Sequence, residues 1–315
     1  MAAAIETMCY VGEVPWHKEG TKLTEGLGIE DWQRESGLDW TVSKRPVIYQ
    51  GAEGEYPTFK DKFVLARDSD DRPFSVVSDR YKPVQPKQVI EFFRELTNEF
   101  GMQLETAGSL CDGKRIWALA KMGEETYKVM GTDPVNAYCM LATSYDLTLS
   151  TVAQFTSIRV VCNNTLQMSM SNFTGRVSIP HRKEFDIAEV QEQMGLGASV
   201  WAAHQKTMET LATIKLDTVK ASSVLHKVYD ITTETKKDDA ANITHVAKII
   251  DLFGGKAIGS DIAGATGWGL VNATTEYLDQ HRRARSTSNR FDSAWFGESF
   301  NLKQKVVDAT LELAA

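Results

Sequence analysis

The chain has 315 residues, 42% hydrophobic and 24% charged, with a formal net charge of -7. That is enough chain for one large domain or two ordinary ones with a full core, and the composition is that of an ordinary globular protein. The acidic balance argues against a protein that coats nucleic acid over its whole surface, while leaving room for a local basic strip on an acidic body.

The start, Met1-Ala2-Ala3-Ala4-Ile5-Glu6-Thr7-Met8, lacks the basic end and apolar stretch of an export signal. No run of about 18 apolar residues follows, so no membrane span and a cytoplasmic location are expected. Turn signals at Gly12, Gly20, Gly26 and Gly28 surround Trp16 and Trp32. Ile29, Trp32 and Gln33 share one face of a short helix over 29–36. His17 reads as a packed or surface side chain beside Trp16. Strands are expected over 40–49, 62–68 and 73–78, with a turn at Asp68-Ser69-Asp70-Asp71. Val89, Phe92, Phe93 and Leu96 recur at helical spacing and predict a helix over 85–100. Strands over 104–110 and 114–121 flank Cys111-Asp112-Gly113, a hairpin-turn signal because Asp and Gly tolerate positive φ. Further strands are expected over 126–130 and 135–143.

From 138 to 155, Cys139, Leu141, Leu147, Leu149, Val152 and Phe155 fall among polar residues, broken at Ser144-Tyr145-Asp146. That pattern predicts two half-buried strands joined at a polar turn. Beyond His181 the spacing becomes helical, over 185–214, 218–228, 243–253, 269–284 and 302–313. The chain therefore reads as α+β. An antiparallel sheet with packed helices fills residues 1–185, and residues 186–315 form a mostly helical region with a basic and aromatic tail.

The run Arg159-Val160-Val161-Cys162-Asn163-Asn164-Thr165-Leu166 resembles the signature of a phage- and plasmid-associated family, domain of unknown function 932. The resemblance extends to Pro15-Trp16-His17, 37–42, 77–81, 107–110, Trp268-Gly269 and Trp295-Phe296-Gly297. Similar proteins tend to carry a His-Asp-Gly-Ser turn where this chain has Thr143-Ser144-Tyr145-Asp146-Leu147-Thr148. A tyrosine cannot replace a histidine in proton transfer near neutral pH.

Catalytic signatures are missing. There is no Gly-x-Ser-x-Gly, no His-Glu-x-x-His, and the glycine-rich stretches 254–259 and 264–269 lack the spacing of a phosphate-binding loop. Both read as connections between helices. Cys9, Cys111, Cys139 and Cys162 stand too far apart for a Cys-x-x-Cys site and read as free thiols. No metal or cofactor is expected, and nothing in the residues supports an enzyme.

Positive charge is densest at His281-Arg282-Arg283-Ala284-Arg285 with Arg290, four arginines within nine positions. Trp268, Tyr277, Phe291, Trp295 and Phe296 lie close in sequence. Guanidiniums that follow a phosphate backbone, interleaved with rings that stack on bases, are what single-strand binding asks for. The competing reading is a solvated helix end whose cations offset the helix dipole, with the rings in the core. A second basic set, Arg176, His181, Arg182 and Lys183, closes the sheet half, with Arg159 upstream. Lys44, Arg45, Lys60, Lys62, Arg80, Lys82, Lys114 and Arg115 raise the prospect of a positive strip on one sheet face. Asn163, Asn164 and Thr165 read as helix caps.

The order of elements is similar to that of phage single-strand annealing proteins, a small sheet backed by helices with a variable tail. The leading expectation is a phage- or plasmid-encoded, homo-oligomeric protein that binds single-stranded DNA and anneals strands in recombination. The alternative is a non-enzymatic protein of a mobile element that docks on a host or phage protein through its aromatic tail.

Overall fold

Alternating residues from 103 to 159 build the central sheet of the computed structural model, which describes residues 5–12, 20–159, 164–167, 176–194, 198–231 and 240–314. Its strands are β1 (Ile5–Tyr10), β2 (Thr21–Lys22), β6 (Gln103–Leu110), β7 (Arg115–Val129), β8 (Asp133–Ser144), β9 (Thr151–Arg159), β10 (Asn164–Gln167) and β11 (Arg176–Ile179). They pair in the order β10-β9-β8-β7-β6-β1-β2, with β11 also on β9. All neighbours are antiparallel except β1 and β2. The expected hairpin turn at Asp112-Gly113 forms, with Cys111, Asp112 and Gly113 all at positive φ. The strands expected over 114–121 and 126–130 are one continuous strand, β7, whose pairing with β8 shifts register between Met122 and Tyr127.

A second sheet, β3 (Val42–Ile48), β4 (Thr58–Arg67) and β5 (Pro73–Ser78), packs with α1 (Ile29–Glu35), α2 (Pro86–Phe100) and α3 (Ile187–Met194) on one face of the first. The α2 stripe predicted from spacing is its buried face: Val89, Ile90, Phe92, Phe93 and Leu96 are all fully enclosed. The Gln85 side chain precedes this helix and bonds both the N–H and the carbonyl of Val42, at 2.9 and 3.0 Å, tying it to β3. The opposite face of the large sheet presents Met8, Tyr10, Trp117, Leu119, Tyr138 and Met140. It is covered by Ala294 and Trp295 of α9 (Thr287–Trp295).

The remaining helices are α4 (Ala198–Thr213), α5 (Thr218–Val228), α6 (Ala240–Asp251), α7 (Ser260–Ala263), α8 (Gly267–Glu276) and α10 (Glu298–Leu311). Two π-helical turns, Leu252–Lys256 and Tyr277–His281, continue α6 and α8. These helices form their own core, and the far end of the β7–β8 ribbon enters it through Val129 and Val135. The long helix expected over 185–214 is α3 and α4, and residues 195–197 between them lie outside the described residues. So do Trp16, His17 and residues 160–163 of the signature run. Asn164 and Thr165, expected as helix caps, are strand residues of β10. The fold is α+β, with the sheets in the N-terminal half and helices in the C-terminal half. No helix among the described residues is long and apolar enough to cross a membrane.

One buried histidine gives the fold a pH dependence. His204 of α4 is bonded through Nε2 to Ser157 Oγ of β9 at 3.0 Å, and burial pulls its pKa from 6.5 down to about 3. Between those values the unfolded chain binds the proton and the folded chain does not. Stability is therefore full above about 6.5 and falls as the pH drops toward about 3, by up to about 1.4 kcal/mol per pH unit. Urea titrations of His204→Gln should show a flatter acid limb than wild type across that window; identical limbs would refute the assignment.

Candidate nucleic-acid interface

The joint between sheet and helices positions the arginine-rich segment. Asp133, at the start of β8, is almost fully buried and accepts a 2.7 Å hydrogen bond from the Trp268 indole N–H of α8. A carboxylate out of water demands such donors. Thr266 caps the same helix, its Oγ1 accepting from the Gly269 N–H at 3.0 Å. A Cβ on Gly267 would lie 2.8 Å from the Leu211 carbonyl oxygen, and one on Gly269 would lie 2.1 Å from that of Gly264. Gly267 and Gly269 thus serve close packing of α8, Gly264 takes a positive φ before it, and the glycines at 254–255 sit in the π turn after α6.

At its other end α8 widens into the π turn Tyr277–His281, a local geometry that recurs at functional sites. Buried Glu276 takes the Ile258 N–H at 2.9 Å and His281 Nε2 at 3.2 Å. Asp279 holds the fully buried Lys303 ammonium at 2.9 Å. Arg282 follows, its backbone N–H donating to the Tyr277 carbonyl at 2.7 Å. Its guanidinium reaches Glu298 Oε1 at 2.8 Å and Ser299 Oγ at 3.3 Å, at the start of α10. Arg283 and Arg285 stand exposed on the loop into α9, with no ion-pair partner among the described residues. Arg290 of α9 turns back to donate to the Gln280 carbonyl.

Arg176 reaches the same corner from the sheet. On β11 it lies opposite Gln154 of β9, and its guanidinium sits 5.1 Å from the ring of Phe300 on α10. It is half-buried, desolvation holds its pKa below the usual arginine range, and it has no carboxylate partner among the described residues. Arg176 and Arg282 thus meet the start of α10 at Phe300, Glu298 and Ser299, while Arg283 and Arg285 follow Arg282 in the chain and Arg290 lies on α9. Arg182 and Lys183 do not join them: both lie in the loop after β11, where Arg182 is exposed and Lys183 pairs with Glu189. Arg159 ends β9, where its backbone pairs with Val135 and Asn164, and its side chain is outside the described part.

Two expectations need correction. Trp268 and Trp295 are only 2% and 9% exposed, packed in the helical core and on the sheet face respectively, so neither offers a free ring to a base. Tyr277 is equally buried. Exposed rings cluster instead at the tip of the β3–β4 hairpin, where Tyr49 and Phe59 meet edge to face at 6.4 Å beside exposed Tyr56 and Ile48. Part of the positive set expected along the sheet is neutralised. Lys44 pairs with Asp79, Arg45 with Asp68 and Asp71, Lys82 with Glu184, and Arg115 with Asp146.

Tyr145, at the departure from the family turn, is fully buried, stacks on Phe74 at 5.3 Å and donates to the Val84 carbonyl at 2.8 Å. Burial raises its pKa well above the usual tyrosine value, so it is a structural post and not a proton carrier. Four neighbours of Arg282 carry no motif and escaped the sequence reading: Tyr229, His245, Tyr277 as a polar group, and Glu298. His245 Nδ1 is hydrogen-bonded to the Tyr277 hydroxyl. The Tyr229 hydroxyl is buried without a hydrogen-bond partner, which costs about 1–3 kcal/mol.

Residues 73–295, well over half of the chain, match a family described as a domain of unknown function, DUF932. The chain belongs to the DUF932 family. No curated protein and no solved structure matches it. The DUF932 match takes in most of the central sheet, α8 with its π turn, and the arginines from 282 to 290. Among the described residues of this DUF932 protein, no group of three His, Cys, Asp or Glu side chains is placed to hold a metal.

Trp268→Phe should lower the unfolding free energy by about 1–3 kcal/mol, since the ring still fills its space but the buried Asp133 loses a donor. Guanidinium denaturation measures this; a change below about 0.5 kcal/mol would show that the bond does not join sheet and helices energetically.

Proposed function

We propose that this DUF932 protein binds single-stranded nucleic acid through the arginines at the α9 and α10 junction. The setting would be strand annealing in the recombination of a phage or plasmid, carried out by a homo-oligomer. The reading rests chiefly on one observation: on a protein of net charge -7, Arg283 and Arg285 are exposed beside Arg282, with no ion partner among the described residues. Such guanidiniums make paired hydrogen bonds to phosphate oxygens. Half-buried Arg176 adds a fourth at the same corner. Annealing needs no catalytic group, because complementary strands pair on their own once held with their bases outward.

Fluorescence anisotropy with labelled oligonucleotides tests the reading. Binding should weaken as salt rises, and replacing Arg282, Arg283 and Arg285 together by Ala should make the log-log salt dependence shallower by about 2, at about 0.7 per lost contact to a single strand. No binding by the wild type at low salt, or an unchanged slope in the variant, would overturn it.

The hairpin tip supports a second reading, in which Tyr49, Tyr56 and Phe59 dock on a partner protein. In that case Tyr49→Ser with Phe59→Ser abolishes partner capture, and the triple arginine variant captures the partner as well as wild type does.

A further inference from the structure

At the joint of α5, α6, α8 and α10, three rings and one guanidinium lie close together. The Tyr229 and His245 rings are 6.1 Å apart, and those of His245 and Tyr277 are 5.5 Å apart. The Arg282 charge reaches all three, opposing the rise that burial imposes on both tyrosines and adding to the fall it imposes on His245. His245 is thus held neutral at pH 7. If the Tyr277 O–H donates to Nδ1, the imidazole proton sits on Nε2, where it is a donor. The Tyr229 hydroxyl is a second donor, buried and without a partner among the described residues. Arg282 supplies the charge. Its only acid partner among the described residues is Glu298, whose side chain is 67% exposed. An ion pair so open to water is weak and readily exchanged.

We propose that Tyr229, His245 and Arg282 form a subsite for one phosphate group of the bound strand, and that the Glu298 carboxylate occupies the anion's place on Arg282 while the site is free. The inference rests on the strand-binding reading and deepens it by naming one phosphate contact and the internal carboxylate that competes with it. A strand phosphate matches Glu298 in charge and exceeds it in one respect: it offers acceptors to the tyrosine and the imidazole together, which the carboxylate leaves unused. Tyr277 is a positioning residue here, since it touches the imidazole and not the anion.

Two titrations of the full-length protein separate the possibilities: inorganic phosphate followed by the rise in Tm, against chloride at equal ionic strength, and oligo(dT) followed by anisotropy. Tyr229→Phe deletes only an unpartnered hydroxyl and folds as wild type does. It should weaken phosphate about tenfold, the loss expected for one hydrogen bond to a charged group. Glu298→Gln should tighten phosphate severalfold, and both variants should move oligo(dT) affinity in the same directions. Phosphate that raises Tm equally in wild type and Tyr229→Phe, or fails to raise it at all, overturns the subsite even where oligo(dT) still binds. Phosphate binding that responds to both variants upholds the subsite, and absent oligo(dT) binding would then remove the strand reading alone.

Discussion

The buried hydrogen bond from Trp268 to Asp133 is the constraint on which the arrangement of the two halves depends. A carboxylate enclosed by protein is tolerated only where donors meet it, so the ribbon end carrying Asp133 and the helix carrying Trp268 have one relative placement. Val129 and Val135 add apolar burial on either side of it. Once α8 is seated there, its axis decides where its last turn ends. The π turn that follows delivers Tyr277 to His245 and Arg282 to Glu298. The location of the positive corner is thus set from about one helix length away, by an interaction with no part in recognition.

Much of the fold was legible because it follows from local pattern. The α2 stripe, the Asp-Gly turn and the 138–155 hairpin each have a spacing that only one element satisfies. The continuity of β7 was not legible: polar residues around Gly123 look like a break, yet pairing with β8 resumes after a register shift, which only the partner strand can sustain. The fate of the tail aromatics was equally out of reach. Trp295 is buried because α9 lies across a sheet face formed some 150 to 290 residues earlier in the chain, and helical spacing cannot report on so distant a surface. Density of arginine marked the segment after α8, but which of its guanidiniums is paired depends on Glu298, sixteen positions beyond Arg282. Tyr229 and His245 are farther still, and neither sits in a motif.

Several cations are cancelled at close range. Arg67 is clasped by Asp70 and Glu6 beneath the Trp40 ring, Arg94 by Glu91 and Glu30, and Arg45 by Asp68 and Asp71. These clusters stiffen the small sheet and α2 but project little field. What survives at a distance is a net-negative body with local positive points, so any polyanion meets general repulsion and local attraction. Such a balance favours contacts at short range and suppresses indiscriminate adhesion.

The π turn has an evolutionary corollary. It holds one residue more than an α turn would, and each residue advances a helix by about 100°. Loss of a single residue between Tyr277 and His281 would let the segment relax to ordinary α geometry and swing the following arginine to another side of the bundle, with composition and hydrophobic pattern almost unaltered. The loop at 49–57 extends into solvent and has no comparable geometric role, so insertions there are cheap. Relatives of this chain should therefore vary freely in length at the hairpin and hardly at all across those five helical positions.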